Sequence, residues 1–162
     1  MRQPRSEGFT LIEIMLVVII LAILAMVIIP RLSDASDDSR DKSLQADLGS
    51  LQRQIGHYRF DHGGRGPHMN PDKSIDNSGA NFIARMTGKT DSTGALNPTG
   101  ACGPYFREWP ANPFIANVAL TAQVKIGSGR APRDGATGWW FDVTSQTITP
   151  SSALGALEQF PR

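Results

Sequence analysis

The chain has 162 residues, a formal net charge of +1, 40% hydrophobic side chains and a single cysteine, Cys102. That length holds one small domain beyond any anchor. Arg2, Arg5 and Glu7 near the amino terminus account for the net charge, so the remainder is neutral, without the basic footprint of a nucleic-acid binder, and one cysteine excludes an intramolecular disulfide.

Residues 1–8 are a short basic segment ending in Gly8, and from Phe9 to Ile29 the chain is apolar apart from Thr10 and Glu13. At about 1.5 Å per residue, a helix over 9–29 matches a hydrocarbon core of about 30 Å. Arg2 and Arg5 predict a cytoplasmic amino terminus with everything beyond the span outside. A cleaved secretory signal fits poorly, because its apolar region is about 7 to 15 residues and ends at a small-x-small site. Glu13 is the residue that needs a reason, since an ionised side chain in hydrocarbon costs about 2.5 to 3.5 kcal/mol even on insertion scales. Phe9 and Glu13 are four apart and share a helical face, where a free amine on Phe9 and the carboxylate could form a charge pair.

The residues Gly8-Phe9-Thr10-Leu11-Ile12-Glu13, the apolar run and Pro30 closely resemble the amino-terminal signal of type IV pilins and type II secretion pseudopilins. The resemblance implies that a prepilin peptidase cuts between Gly8 and Phe9 and methylates the new Phe9 amine. It also implies that Glu13 neutralises the Phe9 amine of a neighbouring subunit during assembly. Pro30 stands where that family commonly has a helix-bending proline, and its missing amide and ring clash predict a bend.

Beyond Pro30 the chain is polar, with a charged stretch from Ser33 to Lys42 that reads as solvated. Leu44, Leu48, Leu51, Ile55 and Tyr58 follow at helical spacing, which predicts one apolar face on a helix running to about Phe60. His62-Gly63-Gly64-Arg65-Gly66-Pro67 then ends it. The Gly-, Asn-, Asp- and Ser-rich connection from Gly63 to Gly103 predicts only a short helix at Asn81 to Met86. Phe114, Ala116, Val118, Leu120, Ala122, Val124 and Ile126 alternate with mostly polar residues and predict one or two half-buried strands. Gly138 to Pro150 reads as a hairpin.

Three later segments also resemble major pseudopilins: Tyr58 to Gly63, Cys102 to Pro113, and Trp140-Phe141-Asp142. The acidic calcium loop of that family has no counterpart, since Glu158 is the only carboxylate side chain after Asp142. His57, His62 and His68 are not spaced for a shared helical metal face, and surface positions are expected for them. Asp134 and Asp142 lack any sign of the pocket that acid–base chemistry needs. Gly127-Ser128-Gly129 reads as a turn rather than a phosphate loop, and Cys102 as a partly buried small hydrophobe.

The expected fold class is α+β and pilin-like: a long amino-terminal helix, its first half transmembrane and its second half amphipathic and packed on a small antiparallel sheet. The expected division is 1–8 leader, 9–29 transmembrane helix, 30–62 amphipathic helix, and 63–162 variable loop and sheet. The resemblance implies a structural subunit of a type II secretion pseudopilus, not an enzyme, with no cofactor and no metal. The alternative is a type IV pilin for adhesion, twitching or DNA uptake. Implied partners are further copies joined through the amino-terminal helices, the prepilin peptidase, an inner-membrane assembly platform and minor pseudopilins; nucleic acid is not among them. The implied location is the bacterial inner membrane, single-pass with the external domain in the periplasm, and a periplasmic or extracellular fibre after assembly.

Overall fold

The computed structural model describes residues 9–152, without the side chains of residues 27–35. The leader 1–8 with Gly8, the side chain of Pro30 and residues 153–162 lie outside the described residues. The secondary structure is α+β, with helices α1 (Leu11–Asp61) and α2 (Gly79–Thr87), a short 3-10 turn at Val118–Leu120, and strands β1 (Val124–Gly127), β2 (Trp139–Asp142) and β3 (Thr147–Pro150). The chain forms two compact units, Met1–Ser39 and Arg40–Arg162.

In the first unit, α1 begins as a helix with apolar side chains on every side. All large hydrophobic residues from Phe9, just before the helix, to Met26 are exposed, from 49% at Ile20 to 84% at Phe9. Among the described residues no helix is long and apolar enough to cross a membrane. The run that predicts a span, residues 9–29, passes into the segment whose side chains lie outside the described residues.

The second unit has its own core. Leu44, Leu48, Leu51, Ile55 and Tyr58, the predicted stripe, are all buried on one face of α1. Each such side chain contributes about 1.5 to 3 kcal/mol by leaving water, an upper figure because unfolded chains are already partly compact. The helix ends in a Schellman motif: Gly63, at φ +61, donates to the Phe60 carbonyl at 3.4 Å, and Gly64 to that of Arg59 at 2.7 Å. Glycine suits the left-handed turn because residues with a side chain rarely adopt a positive φ, although the space around Gly63 is open.

Helix α2 is longer than the expected Asn81 to Met86. Ser78 caps it by accepting from the Asn81 amide, and Phe82 and Met86 reach the core. Its first residue, Gly79, lies directly against β1, where a Cβ would overlap the Val124 carbonyl. Phe82 meets Phe141 at 4.9 Å and Trp109 edge-on at 5.8 Å between ring centroids.

The sheet corrects one expectation. It has the order β1-β2-β3, but only β2 and β3 are antiparallel, in register Phe141↔Ile148, while β1 and β2 run parallel. Parallel neighbours need a long return connection, and residues 128–138 supply it, with Arg133 at φ 54 and Gly135 at φ 66. The alternating segment from Phe114 is not a strand before Val124 either. Asn112 accepts from the Phe114 amide and Asn117 from the Ala119 amide, so side-chain turns take up backbone donors that a ladder would use.

The histidines require a second correction. His57 is exposed as expected, but His62 and His68 are only 2% and 3% exposed. His62 is satisfied inside, with Nδ1 2.6 Å from the Tyr58 carbonyl and Nε2 2.9 Å from Thr90 Oγ1.

Candidate functional site

The candidate site is the first turn of α1. Helix starts leave amide donors without partners, and Thr10 and Glu13 satisfy two of them reciprocally. The Glu13 amide donates to Thr10 Oγ1 at 3.3 Å, and the Thr10 amide donates to Glu13 Oε2 at 2.9 Å. The Thr10 hydroxyl completes the set by donating to the same carboxylate oxygen at 2.7 Å. This is a capping box. Its pattern, Thr10-x-x-Glu13 ahead of an apolar run, is a helix-start signal that the sequence carries alongside the Phe9–Glu13 spacing.

The carboxylate therefore folds back toward the amino end of the helix, onto the amide next along the chain from Phe9. The positive end of the helix dipole favours an anion there. Phe9 lies exposed beside it, bordering an apolar groove with Ile14, Met15 and Val18. The arrangement presents an anion and an aromatic side chain at the start of an apolar helix. Gly8 and the Pro30 side chain lie outside the described residues, so Phe9 and Glu13 are the expected site residues that the structure places.

The three later segments singled out in the sequence meet in the second unit. The Tyr105 hydroxyl donates to Asp61 Oδ2 at 2.7 Å, and the Tyr58 ring stacks on His62 at 3.9 Å and lies 5.3 Å from Tyr105. Burial raises the Tyr58 phenol to about 12; burial, followed by the bond to Asp61, raises Tyr105 further. Trp139 Nε1 donates to the Pro110 carbonyl, and Nδ2 of the fully buried Asn112 to the Gly138 carbonyl, both at 2.9 Å. These residues tie the helix end, the Gly103–Pro113 segment and the hairpin into one frame.

No group of three or more His, Cys, Asp or Glu side chains able to hold a metal occurs among the described residues. Asp142 serves its own turn. It accepts from Ser145 Oγ at 2.6 Å and from the amides of Thr144, Gly129 and Ser145, and these bonds hold its carboxyl at about 2. Asp134 likewise accepts from the Ala136 amide. Cys102 is a free, partly exposed thiol whose backbone pairs with Thr90.

Residues 3–29 match the family described as Prokaryotic N-terminal methylation motif. Similar proteins include type II secretion system core protein G of Klebsiella michiganensis, 34% identical over 61 residues, covering 38% of this chain and 43% of that protein. The core protein G of Pseudomonas aeruginosa is 34% identical over 61 residues, with the same coverage of 38% and 43%. Competence protein ComGC of Halalkalibacterium halodurans is 36% identical over 64 residues, covering 38% of this chain and 63% of that protein. The chain thus spans less than two thirds of the length of each of these relatives, and no solved structure matches. The amino-terminal region, with its capped first turn, carries a prokaryotic N-terminal methylation motif and is homologous to type II secretion system core protein G and competence protein ComGC.

Proposed function

We propose that this chain is a structural subunit of a type II secretion pseudopilus, with a pilin-like fold, that is held in the bacterial inner membrane and polymerises into a periplasmic fibre helping to drive protein secretion. The observation that carries this reading is the methylation motif over residues 3–29, together with the exposure of every large hydrophobic side chain from Phe9 to Met26 in the isolated chain. Such a surface needs lipid before assembly and other copies of the helix afterwards. In this reading Gly8 and Phe9 flank the peptidase cut, Phe9 takes the methyl group, and Glu13 meets the Phe9 amine of a neighbouring subunit. Pro30 bends the helix. The inner-membrane platform and minor pseudopilins are the further partners, and the role is mechanical rather than enzymatic.

A second reading has its own support. A relative named as a competence protein matches over 63% of its length, which favours a pilin-like subunit used in DNA uptake. Deleting the gene and assaying secretion and transformation side by side distinguishes the two.

Mass spectrometry of membrane-extracted protein should find a chain beginning at Phe9 with one added methyl group. An intact Met1 terminus in working cells overturns the processing step. Glu13→Ala should leave insertion and cleavage in place and abolish fibre assembly at equal expression, because it removes the anion without adding polarity. Assembly at the parent's level would defeat the charge-pair role.

A further inference from the structure

His68 is the buried ionisable group that nothing above employs. It lies in the connection between α1 and α2, 3% exposed, with its ring 4.9 Å from that of Phe141 on β2. Its Nδ1 has no hydrogen-bond partner and faces Gly66 so closely that a Cβ there would fall 2.5 Å away. No acceptor is available on that side for a second ring proton.

The charges around it are positive. Arg59 faces it from α1 and Arg85 from α2, whereas β2 presents the uncharged Phe141. Arg85 is pinned in place, donating to the Pro67 carbonyl, Asn70 Oδ1 and Asp76 Oδ2, each at 2.9 Å. Asp76, a carboxylate of the same segment, is committed to that arginine, to Asn81 and to the Ser78 amide. Burial first, then Arg59 and Arg85, keep the imidazole below its ordinary value.

We propose that His68 is an acid-released pin: on taking a proton it leaves its place between Arg59, Arg85 and Phe141, and the backbone turns that close around it between Gly66 and Asp76 open. Those turns run through this residue and its neighbours, since the Asp76 amide donates to the His68 carbonyl at 2.8 Å and the Met69 amide to that of Gly66 at 3.0 Å, while Arg85 holds the segment to α2 through Pro67, Asn70 and Asp76. Because the folded imidazole binds its proton less readily than an unfolded one, stability is complete above about 6.5 and falls as pH drops from there toward the folded value. The inference rests on the packing of the domain and stands whether the subunit serves secretion or DNA uptake.

The test is amide hydrogen exchange of the full chain in detergent micelles, corrected for intrinsic rates, at about one pH unit above and one below the ordinary histidine value. Protection at Met69 and Asp76 should fall several-fold, by up to about tenfold, on the acid side. His68→Phe, which keeps an aromatic ring against Phe141 without a titrating nitrogen, should abolish the change, while exposed His57→Gln should retain it. Should His68→Phe fold poorly, titration of the parent's imidazoles by nuclear magnetic resonance decides the matter: His68 should titrate below the ordinary histidine range together with the loss of protection. Unchanged protection in the parent, an ordinary midpoint for His68, or a parent-like loss in His68→Phe would overturn the proposal.

Discussion

Thr10 and Glu13 close the first turn of α1 with three hydrogen bonds inside one chain. Any pairing of Glu13 with a neighbouring amine then has to compete with Thr10, or share the carboxylate with it. Replacing a capping threonine costs about 1 kcal/mol of helix stability, so Thr10→Val should raise amide exchange at residues 11–14, while Thr10→Ser should keep the parent's protection. Asp142 gives a second expectation at this scale. Its folded carboxyl, at about 2, lies below the ordinary value, so its contribution is present above about 4 and is lost as pH falls toward 2. Asp142→Asn should lower the unfolding free energy at neutral pH by the worth of a turn cap, about 1 kcal/mol, and flatten the decline in acid. Trp139 and Trp140, on the same strand, report both by fluorescence.

Among the elements, α1 and the hairpin were legible because their periods are unambiguous. Leu44 to Tyr58 recur at helical steps, and Trp139 to Pro150 alternate around a polar turn. The segment from Phe114 to Ala122 alternates just as plainly and is not a strand, since Asn112 and Asn117 redirect the backbone. The parallel pairing of β1 with β2 was hidden as well; it depends on where an eleven-residue-scale loop lands, which no local pattern encodes. Gly79 shows the same gap between local and tertiary rules. Alanine is normally the better helix former by about 1 kcal/mol, but at this position its methyl group would meet the Val124 carbonyl. Gly79→Ala should therefore destabilise the domain, seen as a lower urea midpoint with the slope unchanged.

At the scale of the whole chain, the two compact units differ in what they need. The second, from Arg40 onward, contains the buried cluster of Leu44, Leu51, Phe82, Trp139, Phe141 and Ile148. A chain beginning at Arg40 should fold cooperatively, with mixed helix and sheet by circular dichroism, whereas failure to fold in any buffer would show that the core depends on the first unit. The candidate site was legible for the opposite reason. It depends on covalent sequence at an exposed end, so Phe9 and Glu13 could be named without a tertiary context, while the burial of His62 and His68 could not.

The connection from Gly63 to Gly103 is held by turns in which a side chain gathers its own backbone: Asp72 accepts from Ser74, Asp91 from Thr93 and Asn97 from Thr99. None of these fasteners needs an oxidant, and Cys102 has no partner within the chain. The second unit can accordingly fold without waiting for a thiol oxidase, and a reductant such as dithiothreitol should leave its unfolding midpoint where it was.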